Sequence, residues 1–142
     1  MEEILTHENA DFDAIASLLG ASKLFPAAVP VLPRRINRNG SAFLQLYSAE
    51  MPFVHPDDLP REEINRAILV DTQSLTTLKG MSSDVEVDII DHHELDRDLP
   101  DNWSFSGEPI GSTTTLLIEE ISARFLELTD LEATLLLLGI YE

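Results

Sequence analysis

The stretch Val85-Glu86-Val87-Asp88-Ile89-Ile90-Asp91-His92-His93 decides the predicted fold, because a β-branched, apolar run stops there at three polar residues. A second such run, Ala67-Ile68-Leu69-Val70, stops at Asp71. Short runs rich in valine and isoleucine are typical of strands buried within a sheet. We therefore predict two parallel strands, separated by a helical turn near residues 75–81, whose carboxyl ends bring Asp71 and the Asp-His-His triplet to one edge.

The flanking sequence predicts further strands and helices in alternation. Short apolar runs predict strands at residues 2–6, 28–32 and 103–105, and a short strand plus loop within the proline-rich residues 51–60. Capping residues and apolar periodicity predict helices that begin near Asp11 or Asp13, at about residue 41, at Gly111-Ser112-Thr113 and at the capping box Thr129-x-x-Glu132. This alternation indicates an α/β fold: a doubly wound, mostly parallel sheet with helices on both faces, in three α/β/α layers.

The composition fits one globular domain over residues 1–142. The chain has 44% hydrophobic residues and no cysteine, which excludes disulfides, zinc-thiolate sites and thiol nucleophiles. A chain of this size buries roughly 70% of its unfolded surface, which is enough for a real core. The longest apolar run, residues 135–138, is far too short to span a bilayer, and the N-terminus carries no basic leader. We expect a cytoplasmic protein without a membrane partner.

The charge of the chain limits its partners. A formal charge of -17, from 9 basic against 26 acidic residues, opposes the binding of long nucleic acids by this domain alone. Three of the basic residues, Arg34, Arg35 and Arg38, nevertheless fall within five positions. This cluster is either a solvated turn beside Asn39-Gly40 or a clamp for a substrate phosphate.

The polar residues that follow the predicted strands have the spacing of a metal site. In a doubly wound sheet, ligands bind beyond the carboxyl ends of the strands. The spacing His7-x-x-x-Asp11 can fold round one cation, whereas Asp13 must point elsewhere. Asp71 could bridge two ions through its two oxygens, and His92 would add an imidazole to the second ion. Oxygen and imidazole ligands without thiolate favour Mn²⁺ or Mg²⁺ over copper and leave zinc open.

Two further motifs could serve a phosphorylated substrate. Two bridged cations acidify a shared water and clamp the oxygens of an in-line phosphoryl displacement. His93 could donate to a phosphate oxygen, and the amides of Ser112 and Thr113 offer an anion site at a helix N-terminus. Taken singly, these motifs have plainer interpretations, as helix caps or surface histidines. Their order along the chain, always at strand ends, favours the metal site.

The residues that make up these motifs resemble the DHH phosphoesterase family, which is named for the triplet found here at residues 91–93. Its other motifs are similar to residues 7–14, 69–72 and 111–115. The resemblance implies that one metal is bound by His7 and Asp11 and the other by Asp13 and His92. It also implies that Asp71 bridges the two ions, that His93 contacts substrate, and that Asp91 orients neighbouring groups without coordinating metal.

The chain also departs from the family pattern. Ala10 and Phe12 stand where many members have proline and glycine, which affects the shape of the first loop. The family's last motif places a metal-ligand aspartate directly after a stretch like residues 139–142, and relatives continue into a smaller domain that closes over substrate. We therefore expect that residues 1–142 are a fragment, with weak occupancy of the second metal and poor turnover. Residues 32–39 and 138–142 resemble DHH domains that are fused to CBS modules and a tRNA nucleotidyltransferase or poly(A)-polymerase-like domain.

The sequence thus predicts a two-metal phosphoesterase domain that acts on a small phosphorylated substrate, such as a nucleotide or short oligonucleotide in RNA processing. One alternative is a manganese-dependent inorganic pyrophosphatase. Another is a non-catalytic module that binds a nucleotide and regulates a fused RNA nucleotidyltransferase. A phospho-accepting receiver domain also gathers aspartates at strand ends, but it explains neither His7 nor the His92-His93 pair. Whether the chain forms a homodimer is left open.

Overall fold

Five strands pair side by side, all in parallel, in a computed structural model that describes residues 1–75, 78 and 80–142. Their order in the sheet is β2-β1-β3-β4-β5. Residues 67–70 are buried without alternation, as expected of a strand covered on both faces. The bounds are β1 (Glu2–Leu5), β2 (Ala28–Pro30), β3 (Ile64–Val70), β4 (Met81–Ile90) and β5 (Trp103–Ser106).

Four α-helices begin at side chains that cap them. They are α1 (Phe12–Leu24), α2 (Arg38–Tyr47), α3 (Thr113–Ala123) and α4 (Asp130–Tyr141), with short 3₁₀ turns at Ser48–Glu50 and Pro56–Asp58. Asp11, Asn37, Ser112 and Thr129 each accept a hydrogen bond from a backbone amide of the first turn. The capping box of Thr129 and Glu132 predicted from the sequence is confirmed. None of the helices described reaches the length and apolar character that a bilayer crossing requires.

One face of the sheet is covered by α1 and α3. Leu18 of α1 and Leu117 of α3 are buried against Ile4 and Ile68 of the central strands. α4 packs on α1 and α3 as an outer layer, through a very close approach at Gly139. A Cβ atom there would lie 2.5 Å from the Cβ of Ala16. The glycine therefore lets the end of α4 reach the edge of the sheet.

The opposite face is covered by loop side chains among the described residues. Leu59, Leu75, Leu78 and Leu99 lie over the buried residues of β3 and β4. The α/β class and the parallel sheet are confirmed, and the described residues that cover this face come from loops, whereas the sequence predicted helices there. The predicted turn near residues 75–81 falls partly on residues 76, 77 and 79, outside the described residues, and Met81 already belongs to β4.

The strand order creates a switch point between β1 and β3. From β1 the chain crosses to β2 on one side and later returns to the other side as β3. The loops that leave β1 and β3 therefore diverge and open a crevice at the carboxyl ends, the usual place for ligands in such sheets. β4 lies next to β3, so its end borders the same crevice.

Glu3 is a charged residue at a position that the sheet buries completely. It lies on β1 between Val29 and Ala67 of the neighbouring strands, and its side chain is fully buried. Neither carboxylate oxygen has a hydrogen-bond partner among the residues that the structure describes. Burial raises the pKa of Glu3 from 4.5 to about 7, although the charge of the N-terminus opposes this shift.

Replacement of Glu3 by glutamine should remove a pH-dependent loss of stability. Because the folded-state pKa is the higher one, the contribution of Glu3 to stability is fully present below pH 4.5 and is lost as the pH rises through about 7. We expect Glu3→Gln to be more stable than the parent at pH 8. This advantage should shrink by up to about 3 kcal/mol towards pH 4.5.

The measurement is the free energy of unfolding by urea from pH 4.5 to 8, with a chelator present so that metal binding does not contribute. Glu62→Gln, at an exposed position, is the matched control and should track the parent at every pH. If the stability difference between Glu3→Gln and the parent does not change with pH, burial does not raise the pKa of Glu3.

Candidate metal centre

A cavity of about 310 Å³ lies at the carboxyl ends of β1, β3 and β4. The loops after these three strands and the ends of α3 and α4 meet there, as the switch point predicts. Acidic and imidazole side chains make up most of its lining. The lining residues are His7, Asp11, Asp13, Asp71, His92, His93, Gly111, Ser112, Gly139, Ile140 and Glu142.

Asp71 occupies the centre of this cavity. Its backbone has φ 57°, a left-handed conformation that aspartate tolerates better than most residues, and its side chain is buried. Oδ2 lies 3.3 Å from Nε2 of His7, whereas Oδ1 lies 3.5 Å from Nε2 of His92. Oδ1 also accepts a hydrogen bond of 3.0 Å from the Thr113 hydroxyl. The two oxygens of one carboxylate thus face two different histidines.

The electrostatics of Asp71 follow from these partners. Burial alone would raise the pKa of Asp71, but the hydrogen bonds from His7 and Thr113 and the two imidazoles outweigh it and lower the pKa below its usual value. The hydrogen bond between His7 and Asp71 raises the pKa of His7 to about 9, although burial opposes this shift. His7 is therefore protonated at neutral pH in the metal-free protein, and metal binding there must release a proton.

Both histidines beside Asp71 have one ring nitrogen fixed by a backbone carbonyl. Nδ1 of His7 lies 2.9 Å from the carbonyl oxygen of Glu8, and Nδ1 of His92 lies 2.9 Å from that of Ile110. A carbonyl oxygen only accepts hydrogen bonds, so Nδ1 carries a proton in each of the two rings. Nε2 is then directed into the cavity, which is the usual arrangement of histidines that bind metal.

Asp13 is held at the N-terminus of α3. Its two oxygens accept hydrogen bonds from the backbone amides of Thr113 and Thr114, at 3.2 and 2.9 Å, and from the Thr114 hydroxyl at 2.6 Å. Burial and then the negative charge of Asp71 raise the pKa of Asp13, and the threonine bonds oppose this shift. Oδ2 still lies 3.7 Å from Nε2 of His92. Asp11 caps α1 through Oδ1, which accepts from the Ala14 amide at 3.0 Å.

Asp91 and His93 form a pair at the rim. Asp91 is 1% exposed, and its Oδ1 accepts a hydrogen bond of 2.8 Å from Nδ1 of His93. Gln73 donates to its other oxygen at 3.0 Å. The His93 side chain is 62% exposed, so Nε2 of its ring is open to a ligand in the cavity.

The donor set fits divalent cations. Four aspartates lie at this edge of the sheet, and the described residues that line the cavity include neither lysine nor arginine. Buried carboxylates of like charge need a counter-charge. Two groups of ligand atoms lie close enough to hold an ion, and they share Asp71: His7 with Asp11, and His92 with Asp91 and His93. Oxygen and imidazole donors of this kind suit divalent cations.

The structure brings all five predicted metal ligands to this cavity, together with two of the residues predicted to contact substrate, Ser112 and His93. The amide of Thr113 donates to Asp13, and the Ser112 hydroxyl serves as the cap of α3. None of the three clustered arginines lines the cavity. Arg34 instead pairs with Asp57 at 2.9 Å.

Sequence reasoning assigned no role to Thr114 or Gln73. Thr114 binds Asp13 with its amide and its hydroxyl, and Gln73 binds Asp91. The sequence signal for both is weak: Thr114 belongs to a run of three threonines at a helix start, and Gln73 comes two residues after Asp71.

Replacement of Thr113 by valine should weaken metal binding. Its side chain is fully buried, its hydroxyl donates to Asp71, and it accepts a 3.2 Å bond from the His92 amide. Loss of a hydrogen bond that orients a metal ligand typically costs 10–100-fold in affinity. We expect Thr113→Val to raise the Kd for Mn²⁺ about tenfold, and Thr113→Ser, which keeps the hydroxyl, to bind like the parent.

Isothermal titration calorimetry with Mn²⁺ measures this effect. Thr115→Val is the matched control, since its hydroxyl contacts Ser112 and no carboxylate. Equal Mn²⁺ affinities for Thr113→Val and the parent would contradict a role for Thr113 in the site.

Comparison with known proteins places this site in a family. The profile of the "DHH family, N-terminal domain" matches residues 3–140. An A-adding tRNA nucleotidyltransferase of Geobacter sulfurreducens is 35% identical over 150 residues, covering 100% of this chain and 17% of that protein. The corresponding protein of Aquifex aeolicus is 29% identical over 141 residues, with 98% and 16% covered. The chain thus spans about a sixth of the length of these curated relatives.

A solved structure shares the fold. The crystal structure of a Methanococcus jannaschii protein assigned to the family II inorganic pyrophosphatases superposes with a TM-score of 0.71 at 24% identity. The superposed region covers 98% of this chain and 47% of the Methanococcus jannaschii chain. The family profile spans nearly the whole chain and includes all the residues of the cavity up to Ile140. This chain belongs to the DHH family, as its N-terminal domain.

Proposed function

We propose that this chain is the metal-binding part of a two-metal phosphoesterase that hydrolyses a phosphodiester or phosphoanhydride. The observation that carries the proposal is the central carboxylate, Asp71, whose two oxygens face His7 on one side and His92 on the other. In this arrangement His7 and Asp11 would hold one ion and Asp13 and His92 the other. Mn²⁺ or Mg²⁺ would be the cofactor.

Two such ions, when bound, acidify a water molecule and neutralise charge on the phosphoryl group. The residues of the chain do the positioning. Asp71 would be a ligand of both ions, because its Oδ1 accepts a hydrogen bond from Thr113 and its Oδ2 faces Nε2 of His7. Asp91 engages Nδ1 of His93, and this leaves Nε2 of His93 as the atom that contacts a phosphate oxygen. No serine or cysteine nucleophile is required.

The substrate we propose is a nucleotide or short oligonucleotide. Ala10 lies in the loop between His7 and Asp11, and its amide donates to the carbonyl oxygen of Arg35, so the backbone of Arg35 lies beside this loop and Arg38 follows three residues later. Both arginines are exposed. They would bind a phosphate next to the one that is cleaved, and the surrounding acidic surface would disfavour long nucleic acids.

The relatives support a setting in RNA metabolism, because both curated proteins carry the name A-adding tRNA nucleotidyltransferase. The second candidate is inorganic pyrophosphatase, which is favoured by the small cavity of about 310 Å³ and by the likeness to the archaeal fold. A non-catalytic nucleotide-binding module is the third, but such a module has no need for the acidic and imidazole side chains that line this cavity.

Replacement of Asp71 by asparagine should abolish hydrolysis. The change removes one negative charge and one of the two oxygens that face the histidines, so neither ion keeps its shared ligand. We expect the full-length protein to cleave a ribodinucleotide in the presence of Mn²⁺, and Asp71→Asn to lower kcat by more than about 1,000-fold, as loss of a central catalytic electrostatic group does.

The control is Asp58→Asn, at an exposed position, which should keep full activity. Pyrophosphate is tested in parallel. Faster hydrolysis of pyrophosphate than of dinucleotides would favour the second candidate. If neither compound nor a nucleoside diphosphate is hydrolysed while the protein binds nucleotide, the catalytic proposal is overturned.

A further inference from the structure

Gln73 connects the loops that follow β3 and β4. Its side-chain nitrogen lies 3.0 Å from Oδ2 of Asp91, 3.3 Å from the carbonyl oxygen of His93 and 3.2 Å from that of Glu94. An amide group has two N–H donors, so these three acceptors share them. One half-buried glutamine thereby holds both the side chain and the backbone of the Asp91–His93 segment.

The bond from Gln73 completes the partners of Asp91. His93 donates to Oδ1 of Asp91 at 2.8 Å, and the hydroxyl of Thr113 lies 3.4 Å from the same oxygen. Oδ2 accepts from Gln73. Asp91 is almost fully buried, so loss of the Gln73 donor would leave a buried carboxylate oxygen short of a partner. The carboxylate would then rotate and release the ring of His93.

The backbone of Gln73 fixes the far end of the same loop. Its carbonyl oxygen accepts a hydrogen bond from the guanidinium of Arg97. That guanidinium lies 5.6 Å from the ring centroid of Trp103, the first residue of β5. The loop from Asp91 to Arg97 is thus anchored on Gln73 at both ends, while the imidazole of His93 between them is exposed.

We propose that Gln73 is a positioning residue that sets the orientation of His93 towards the substrate phosphate. The inference rests on the proposed function, in which His93 contacts that phosphate. Gln73 makes no contact with His7, Asp11, Asp13 or Asp71 in the described hydrogen bonds. It therefore acts on substrate through the Asp91–His93 pair, and binding of the first metal does not depend on it.

The test is Gln73→Leu in the full-length protein, which keeps the approximate shape of the side chain and removes the donor. We expect kcat with a ribodinucleotide and Mn²⁺ to fall by about 10–100-fold, the usual effect of a lost orienting partner. The Mn²⁺ affinity should stay close to that of the parent, and the thermal midpoint should fall by a few degrees because one buried oxygen of Asp91 loses its donor. Gln45→Leu, at an exposed position of α2, is the matched control and should leave all three quantities unchanged.

A double-mutant cycle with His93→Ala separates positioning from a general structural role. If Gln73 works through His93, adding Gln73→Leu to His93→Ala should cause little further loss of kcat. Multiplicative losses, or a drop in Mn²⁺ affinity equal to the drop in kcat, would overturn the inference. If the parent protein is inactive, the proposed function is contradicted and not the role of Gln73. A Mn²⁺ titration of Gln73→Leu that matches the parent shows that a loss of activity in this variant does not come from loss of the metal.

Discussion

The crowding of negative charge at one edge of the sheet is the constraint on which the rest of the structure depends. Parallel strands place their carboxyl ends together, so Asp11 and Asp13 after β1, Asp71 after β3 and Asp91 after β4 converge. Three of these carboxylates are buried, and burial without a counter-charge is costly. Hydrogen-bond donors stabilise part of this buried negative charge, and bound divalent cations would supply the positive charge that balances the rest.

The helices on one face of the sheet supply those donors. The N-terminus of α3 lies next to the first turn of α1, and its first two backbone amides donate hydrogen bonds to Asp13. The helix dipole favours a negative charge at this position. Thr113 links this helix to Asp71. The end of α4 reaches the same place because Gly139 has no side chain to hold α4 away from α1 and α3. The packing of α1, α3 and α4 is therefore part of the site.

Much of this arrangement is encoded locally and is readable from the sequence. The β-branched runs before Asp71 and Asp91 fix the strand ends, and parallel pairing then requires that these residues meet. The contacts that depend on how helices cross are not encoded locally: the hydrogen bonds of Asp13 to α3 join residues about 100 positions apart. The same reason explains why the ion pair of Arg34 could not be predicted, since its partner Asp57 lies on a separate turn. Glu3 stands at an unremarkable position of the sequence, and only the central place of β1 in the sheet buries it.

The central claim is that Asp71 is shared by two cations, and anomalous diffraction at the manganese edge tests it most directly. Crystals of the full-length protein grown with Mn²⁺ should show two anomalous peaks, one beside His7 and Asp11 and one beside Asp13 and His92, with one oxygen of Asp71 directed at each. A single peak that leaves Asp71 without a metal contact, or manganese bound only outside this cavity, would contradict the account.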